Sequence, residues 1–319
     1  MAPRTDLRTA RAAALALAGL IAGPAAAEGA LAFVTTQNGD ALSVIDLDAR
    51  EERTRWEVPG QPAGVAVSAG GAVFAVSPES KTVRRFGAGG EVQAEAVLDG
   101  GPIGIALDET RGRAFVSDWY NARIWVLDAA TLALTGTLAT GAAPAGLAVA
   151  GGWLASADRD ADRVSLFDLD ALGPPRAVPV GARPFGLAFA PDGRLFVANV
   201  GTNDVSVVDP ASGTVTATLP VGERPYGIAF ARGRTFVTNQ YADSVSVIDL
   251  ATLEPVATLD VGEYPEGIDA TADGSLVVVA NWFSNTVTLI DPAGPAVTGE
   301  VATGEGPRAF GLFILDPPS

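Results

Sequence analysis

A repeat of about forty residues runs through almost the whole chain and constrains its fold more than any other feature. Its clearest marker is a proline that precedes a short run of glycine and aliphatic residues. The proline recurs at Pro62, Pro102, Pro144, Pro184, Pro225, Pro265 and Pro307, at spacings of 40, 42, 40, 41, 40 and 42 residues. Seven copies of one supersecondary unit are therefore expected.

A second marker keeps the same period. An aspartate ends a run of Val-Ser-Val type in six copies, at Asp46, Asp128, Asp168, Asp209, Asp249 and Asp291, and Gly87 takes the remaining position. The repeats cover approximately residues 30–71, 72–112, 113–152, 153–193, 194–233, 234–274 and 275–314. We expect one domain over residues 28–316 and a short tail at 317–319.

Each repeat contains four short runs of β-branched and apolar residues, which is the pattern of short strands. In the clearest copy the runs are 186–189, 194–199, 205–209 and 214–221. Pro191-Asp192-Gly193 predicts a tight turn between the first two, because proline fixes φ and glycine supplies a positive φ. Asp209 to Gly213 predicts a similar turn after the third.

A four-stranded meander cannot bury both of its faces alone, so neighbouring copies must stack against it. We therefore predict an all-β, seven-bladed β-propeller with four antiparallel strands per blade. The first run after the N-terminal region, 31–35, corresponds to the second strand of a blade. Residues 310–314 correspond to an innermost strand, so the C-terminal strand is predicted to complete the N-terminal blade and close the ring.

One copy contains the motif Phe236-Val237-Thr238-Asn239. Through this motif and the forty-residue period the chain resembles the YVTN-repeat family of seven-bladed β-propellers, and the resemblance covers all seven copies. It implies the propeller fold and a protein of the exported bacterial type. It implies no activity, because members of this family share blade-building residues rather than an active site.

The N-terminus has the composition of an export signal. Three arginines precede an apolar stretch over residues 12–21, and three alanines at 25–27 offer a cleavage site. We expect residues 1–27 to be removed and the product to lie in the periplasm, with secretion or the cell surface as alternatives. The apolar stretch is short and no second one follows, so membrane insertion is not expected.

Charge limits the partners of the chain. Without residues 1–27, 18 basic residues face 36 acidic ones, and no cluster of Lys or Arg follows the leader. Because such a surface repels polyanions, we expect no nucleic-acid partner. The partner is expected to be a periplasmic protein or a small molecule, bound by a monomer.

The residues that the chain lacks limit its chemistry. It contains no His and no Cys, and its single Met is Met1. Disulfides, thiolate nucleophiles, imidazole catalysis, covalent haem attachment and the usual Zn or Cu ligands are therefore excluded. We expect no cofactor.

In a blade of alternating strands, the loops between blades and the loops between second and third strands emerge on one face, here called the top face. Large side chains gather in these loops. The candidate partner-binding or ligand-binding residues are Trp119, Arg183, Phe185, Arg224, Tyr226, Tyr241, Tyr264, Glu266, Trp282 and Arg308.

The repeats are unequal on this face. The residues beside the marker proline are Gln61/Ala63, Gly101/Ile103 and Ala143/Ala145 in three loops. In the other four they are Arg183/Phe185, Arg224/Tyr226, Tyr264/Glu266 and Gly306/Arg308. Because aromatic and Arg anchors suit recognition, we predict a non-catalytic binding or scaffold propeller, with its partner or ligand held around the central channel. It would act alone or as an accessory to a periplasmic dehydrogenase or uptake system.

Two alternatives remain open at this point. Glu266, with Tyr264, Tyr226 and Arg224 nearby, has the residue types of a lactonase-like hydrolase or a lyase. Residues 158–162 alternate carboxylates as calcium loops do, but Arg163 and Leu169 stand where an EF-type loop has Gly and Glu, so an ordinary strand connection is favoured.

Overall fold

The computed structural model describes residues 29–317, so the predicted leader at 1–27 and the last two residues of the tail lie outside the described part of the chain. Residues 29–317 form seven four-stranded antiparallel sheets, packed in sequence around a central channel. The prediction of an all-β, seven-bladed propeller is confirmed.

The sheets have the following strands. The outer part of the closing blade, blade 7, consists of β1 (Leu31–Thr36), β2 (Ala41–Asp46) and β3 (Glu51–Glu57). Blade 1 consists of β4 (Gly64–Val67), β5 (Val73–Ser77), β6 (Thr82–Phe86) and β7 (Val92–Val97). Blade 2 consists of β8 (Pro102–Asp108), β9 (Arg113–Asp118), β10 (Arg123–Asp128) and β11 (Leu134–Ala139). Blade 3 consists of β12 (Pro144–Ala150), β13 (Trp153–Asp158), β14 (Arg163–Asp168) and β15 (Arg176–Pro179).

Blades 4 to 6 follow the same plan. Blade 4 consists of β16 (Pro184–Phe189), β17 (Leu195–Asn199), β18 (Asp204–Asp209) and β19 (Thr214–Pro220). Blade 5 consists of β20 (Pro225–Ala231), β21 (Arg234–Asn239), β22 (Ser244–Asp249) and β23 (Pro255–Asp260). Blade 6 consists of β24 (Pro265–Ala270), β25 (Val277–Asn281), β26 (Thr286–Asp291) and β27 (Ala296–Ala302). The last strand, β28 (Ile314–Leu315), pairs with β1. Two single-turn 3-10 helices lie at Glu109–Arg111 and Arg159–Ala161.

The turn residues act as the sequence predicts. Gly193 has a φ of 88° in the hairpin between β16 and β17. After β18, the Oδ1 atom of Asp209 accepts the N–H of Ala211 at 2.9 Å. All six marker aspartates accept the N–H of the residue two positions later, which explains their recurrence.

The core of the protein lies between blades. Buried aliphatic and aromatic side chains of the second and third strands form clusters that each join neighbouring blades. Leu166 of blade 3, for example, belongs to one cluster with Val197 of blade 4. The outer strands are largely exposed, so stability depends on contacts between successive blades.

The innermost strands approach one another too closely for side chains at one position. A Cβ atom on Gly186 would lie 1.9 Å from the carbonyl oxygen of Tyr226 in the next blade, and one on Gly227 would lie 2.6 Å from that of Glu266. The residue is glycine in blades 1 to 6, at Gly64, Gly104, Gly146, Gly186, Gly227 and Gly267. This ring of glycines sets the width of the channel at its top.

Blade 7 departs from this pattern where the ring closes. Ala309 occupies the glycine position and has a left-handed backbone with a φ of 46°. The chain then turns towards blade 1, where the Phe310 N–H donates to the Ala63 carbonyl and the Val65 N–H donates to the Phe310 carbonyl, both at 3.1 Å. The predicted closure is confirmed, but regular pairing with β1 is limited to Ile314 and Leu315.

A buried carboxyl of blade 6 holds the closing segment. The Oδ2 atom of Asp269 accepts the N–H groups of Phe313 at 2.7 Å and of Ile314 at 3.0 Å, and Oδ1 accepts the N–H of Ala270 at 2.8 Å. Burial raises the pKa of Asp269 to about 7, although these bonds oppose the shift.

The glycine ring predicts a strong dependence on side-chain size. Gly186→Ala should lower the free energy of unfolding by about 2 kcal/mol, because the new methyl group meets a backbone carbonyl. Gly136→Ala is the matched control, since nothing lies within 4 Å of its Cβ position in β11; it should change stability by less than about 0.5 kcal/mol. Equal losses in urea unfolding would contradict the packing role of the ring.

Asp269 predicts a pH dependence of stability. The carboxyl titrates near 3.9 when unfolded and near 7 when folded, so the folded state binds more protons between these values. Its contribution to the free energy of unfolding should fall by up to about 4 kcal/mol as the pH rises from about 4 to about 7. Asp269→Asn removes this term, so the stability difference between the two proteins should change over that window. A constant difference would contradict the assignment.

Candidate functional site

The loops of the top face hold the residue before the inner-strand proline in a left-handed conformation in six of the seven described copies, five of them with a side chain. The backbone is left-handed at Arg183, Arg224 and Tyr264, with φ values of 54°, 55° and 59°. The N–H of each residue donates to an Asp or Asn side chain at the end of a loop in the preceding blade, and the Tyr264 N–H lies 2.8 Å from Oδ1 of Asp243. These hydrogen bonds fix the backbone that carries the side chains of Arg224 and Tyr264.

Aromatic rings of blades 5 and 6 form a continuous surface beside the channel, here called the rim cluster: Arg224, Tyr241, Tyr264, Trp282 and Phe283. The guanidinium of Arg224 lies 4.2 Å from the ring centre of Tyr241. Tyr264 lies 5.4 Å from Tyr241 and 4.7 Å from Phe283, and Trp282 packs on both Tyr264 and Phe283. Tyr241 is 48% exposed and Phe283 is 58% exposed. The rim cluster is therefore a stacked aromatic surface in contact with solvent.

A second aromatic group closes the top of the channel, here called the channel plug: Trp119, Phe185, Tyr226 and Phe310. The ring centres of Phe185 and Tyr226 are 4.2 Å apart, those of Phe185 and Phe310 are 4.9 Å apart, and Trp119 lies 6.0 Å from Phe185. Phe185, Tyr226 and Phe310 are buried and pack against Ala145. The plug is a small hydrophobic core inside the channel.

Arg308 joins the two groups. One of its terminal nitrogens donates to the hydroxyl of Tyr226 at 2.8 Å, and the other donates to Oε1 of Gln37 at 2.9 Å. Its Nε atom lies 2.8 Å from Oε2 of Glu266, which is an ion pair by distance although the N–H does not point at the oxygen. The other oxygen of Glu266 accepts from Gln240 Nε2 at 2.7 Å.

Burial controls the protonation of this network. It raises the pKa of Glu266, while Arg308 and Gln240 lower it. Burial opposes the charge of Arg308, but Glu266 and Tyr226 raise the pKa of the guanidinium above its usual value. Burial also raises the pKa of Tyr226, and with Tyr241 it raises the pKa of Tyr264 to about 12. Both phenols are therefore neutral near pH 7.

The structure brings together nine of the ten predicted site residues. The rim cluster contains Arg224, Tyr241, Tyr264 and Trp282; the plug contains Trp119, Phe185 and Tyr226; and Arg308 with Glu266 links them. Arg183 is exposed and, among the described residues, has no aromatic or ion-pair partner. Phe185, Tyr226 and Glu266 are buried, so they support the surface rather than form it.

The inequality of the repeats has two physical origins. The residue after each proline points into the channel top, where Phe185 and Tyr226 pack over Ala145 and the partly buried Ile103. A narrow channel cannot hold seven large side chains, so small residues on one side accommodate large ones on the other. Channel packing therefore explains why the residues after the prolines differ between the repeats. The residue before the proline lies outside the channel: Gly101, Ala143 and Gly306 are buried in their loops, whereas Arg224 and Tyr264 are partly exposed and have no such packing explanation.

Sequence reasoning missed Gln37, Gln240 and Phe310 as members of the network. Gln37 and Gln240 directly follow the residue that ends the second strand of their blades, the position held by Trp119 and Trp282 in others. Aligning that single position across the repeats would have found both. The place of Phe310 depends on the irregular closing segment and has no counterpart in other repeats.

A cavity of about 610 Å³ occupies the channel below the plug. Aliphatic and aromatic residues of the inner strands line it, among them Leu147, Leu187 and Phe230, together with Glu266 and Asp269. The sequence did not predict this cavity.

The acidic segment at 158–162 forms a strand connection. Asp158 is buried and its Oδ2 atom accepts bonds from Ser165 at 2.6 Å and from the N–H of Gly141 at 2.7 Å, while Arg159–Ala161 form a 3-10 turn. Within residues 29–317, no group of three or more Asp or Glu side chains is placed to hold a metal ion. No helix in the described part of the chain is long and apolar enough to cross a membrane.

The ion pair beneath the surface predicts a rescue. Arg308→Met should lower the free energy of unfolding by about 3 kcal/mol at neutral pH, because it leaves the buried carboxylate of Glu266 without its cation. Adding Glu266→Gln should restore most of the loss. Without Arg308 the folded-state pKa of Glu266 rises further, so the deficit of the single variant should shrink as the pH falls towards about 4. A deficit that neither Glu266→Gln nor low pH reduces would contradict the pairing.

Comparison with known proteins places this site on a widespread scaffold. A solved protein of unknown function from Desulfotomaculum acetoxidans DSM 771 is similar to the chain at a TM-score of 0.77 and 17% identity, covering 90% of this chain and 99% of that one. Hydrazine synthase of Kuenenia stuttgartiensis matches at a TM-score of 0.73 and 19% identity, covering 82% and 92%. At these identities the likeness shows the fold alone.

A third solved structure, the dihydro-heme d1 dehydrogenase NirN in complex with DHE, matches at a TM-score of 0.64 and 18% identity, covering 85% of this chain and 63% of that one. A search of curated proteins finds no match. A family model described as YNCE-like beta-propeller matches residues 124–318, more than half of the chain. The chain therefore belongs to the YNCE-like beta-propeller family.

Proposed function

We propose that this chain is a non-catalytic binding propeller that holds a partner protein or a small ligand on its rim cluster. The observation that carries the proposal is the stacked aromatic surface in which the exposed rings of Tyr241 and Phe283 pack on the partly buried ring of Tyr264. Exposed aromatic side chains with fixed positions are typical anchors of recognition surfaces. Ordinary surface loops have no need of them.

Backbone strain supports the same proposal. A left-handed conformation costs a residue with a Cβ atom about 1–2 kcal/mol, and glycine avoids this cost. Blade 7 has Gly306 at the position before its proline, whereas blades 5 and 6 have Arg224 and Tyr264. Gln61, Ala143 and Arg183 share the left-handed backbone, so the strain belongs to the loop, and what distinguishes blades 5 and 6 is the large side chain that the strained position directs into the rim cluster.

The geometry around Glu266 argues against the lactonase-like alternative. A general base needs a carboxylate that can reach substrate. Glu266 is 2% exposed, one of its oxygens accepts from Gln240 and the other faces Arg308. Tyr226 and Tyr264 stay protonated near neutral pH, so the site presents no free base. The proposal accordingly includes no reaction and no cofactor.

The setting of this function follows from the leader predicted at residues 1–27. We propose that the exported monomer acts in the periplasm, either alone or as an accessory to a dehydrogenase or an uptake system, with secretion or the cell surface as alternatives. The excess of acidic residues supports a partner other than nucleic acid.

The proposal predicts that capture depends on the exposed rings. Tyr241→Ala combined with Phe283→Ala should abolish retention of a periplasmic partner on immobilised protein, with little change in the melting temperature, because both rings are largely exposed. Val97→Ala combined with Leu134→Ala removes apolar surface from outer strands and is the matched control. Retention that survives the first pair, or that both pairs abolish, would contradict the proposal.

The catalytic alternative has its own test. Wild-type protein and Glu266→Gln should be equally inactive on a panel of lactones. Turnover by the wild type that Glu266→Gln removes would replace the binding proposal with the hydrolase.

A further inference from the structure

Three exposed glutamates occupy the same position in three consecutive blades. Glu223, Glu263 and Glu305 each stand two residues before the inner-strand proline of blades 5, 6 and 7. The corresponding residues of blades 1 to 4 are small: Gly60, Gly100, Ala142 and Ala182. At this position of the repeat, carboxylates are therefore confined to blades 5 and 6, which carry the rim cluster, and to the adjoining blade 7.

Backbone hydrogen bonds join two of these glutamates to the residues that carry the exposed rings. The N–H of Tyr241 donates to the carbonyl of Glu223 at 3.2 Å, and the N–H of Phe283 donates to the carbonyl of Glu263 at 3.2 Å. In blade 7 the N–H of Asn38 donates to the carbonyl of Glu305 at 3.1 Å. The backbones of Glu223 and Glu263 are thus fixed next to those of Tyr241 and Phe283, and Glu305 holds the same loop position beside Asn38 in blade 7.

The charge available to a partner on this surface is negative. Among the described residues, none of the three glutamates forms an ion pair. The nearby cations are already engaged, since Arg224 lies over the ring of Tyr241 and Arg308 is paired with Glu266. Of the three arginines that the sequence predicted as anchors, Arg224 and Arg308 are therefore internal parts of the surface, whereas Arg183 is exposed one loop away.

Aromatic faces beside carboxylates are suited to organic cations. A ring attracts a guanidinium or an ammonium through its quadrupole, and a carboxylate adds a charge-assisted hydrogen bond. The surface already shows this chemistry within the chain, because the guanidinium of Arg224 sits 4.2 Å from the centre of Tyr241. A second guanidinium would find the same environment beside Tyr264 and Phe283.

We propose that the rim cluster and its three glutamates bind an arginine- or lysine-rich segment of a partner protein. This inference rests on the proposed function and names the chemistry of the partner. The carboxylates are spread over three blades, and no three acidic side chains within residues 29–317 are placed to hold a metal ion, so an extended chain with several cations fits better than a single ion. The acidic charge of the whole protein would also speed its association with such a segment.

The test compares matched neutral variants of the full protein. The probe is a short fluorescent peptide of arginine, glycine and serine, and its charge-inverted counterpart has glutamate in place of arginine. Replacing Glu223, Glu263 and Glu305 together by glutamine should weaken binding of the basic peptide roughly tenfold. The control removes three charges from the opposite face, through Asp48→Asn, Glu51→Gln and Glu254→Gln; it should weaken binding less than about twofold.

The outcomes separate this inference from the proposal on which it rests. Equal losses in the two triple variants, no binding of the basic peptide, or tighter binding of the acidic peptide would overturn the inference. If the partner captured in the periplasmic assay is lost with Tyr241→Ala and Phe283→Ala but kept by the glutamine variant, the rim still binds and only its cationic partner is refuted. If neither variant loses that partner, both the inference and the proposed function are refuted.

Discussion

The close approach of the inner strands at the top of the channel governs the rest of this structure. Backbone carbonyl oxygens of one blade occupy the space where side chains of the previous blade would begin. A Cβ atom added to any of the six ring glycines would lie 1.9–2.6 Å from such an oxygen. The channel is narrow there, so few large residues fit inside it. Phe185, Tyr226 and Phe310 fill that space, and the remaining large residues of the loops must lie above it, on the surface.

Blade 7, where the ring closes, is the exception to the glycine pattern, and its backbone changes course as a result. Ala309 replaces the glycine, takes up a left-handed backbone and directs the chain towards blade 1, and Asp269 then binds the amides that this turn leaves without strand partners. In a chain without cysteine, these contacts and one short strand take the place of a covalent clasp. The junction combines a strained residue with a buried carboxyl whose pKa is raised, so its stability depends on pH.

Much of the fold could be predicted from the sequence because each repeat specifies its own turns and strands. The prolines, the aspartates that cap turns and the glycines are local signals, and the strands of blade 4 lie within two residues of their predicted bounds. The site was predictable only in part. The inequality beside the prolines identified loops that the structure brings together, but it could not separate Tyr226, which fills the channel, from Tyr264, which is partly exposed above it, because that depends on channel width. The pairing of Arg308 with Glu266 depends on how blade 7 closes, which no single repeat encodes.

On the proposed function, the side chain of Tyr264 serves binding and not stability at its left-handed position. The most direct measurement is Tyr264→Gly, assayed for urea unfolding and for binding of the basic peptide. Relief of the left-handed strain, about 1–2 kcal/mol, should offset the loss of ring contacts, so the free energy of unfolding should stay within about 1 kcal/mol of the wild type. Binding should weaken roughly tenfold. A protein that binds as well as the wild type but unfolds far more easily would contradict the account.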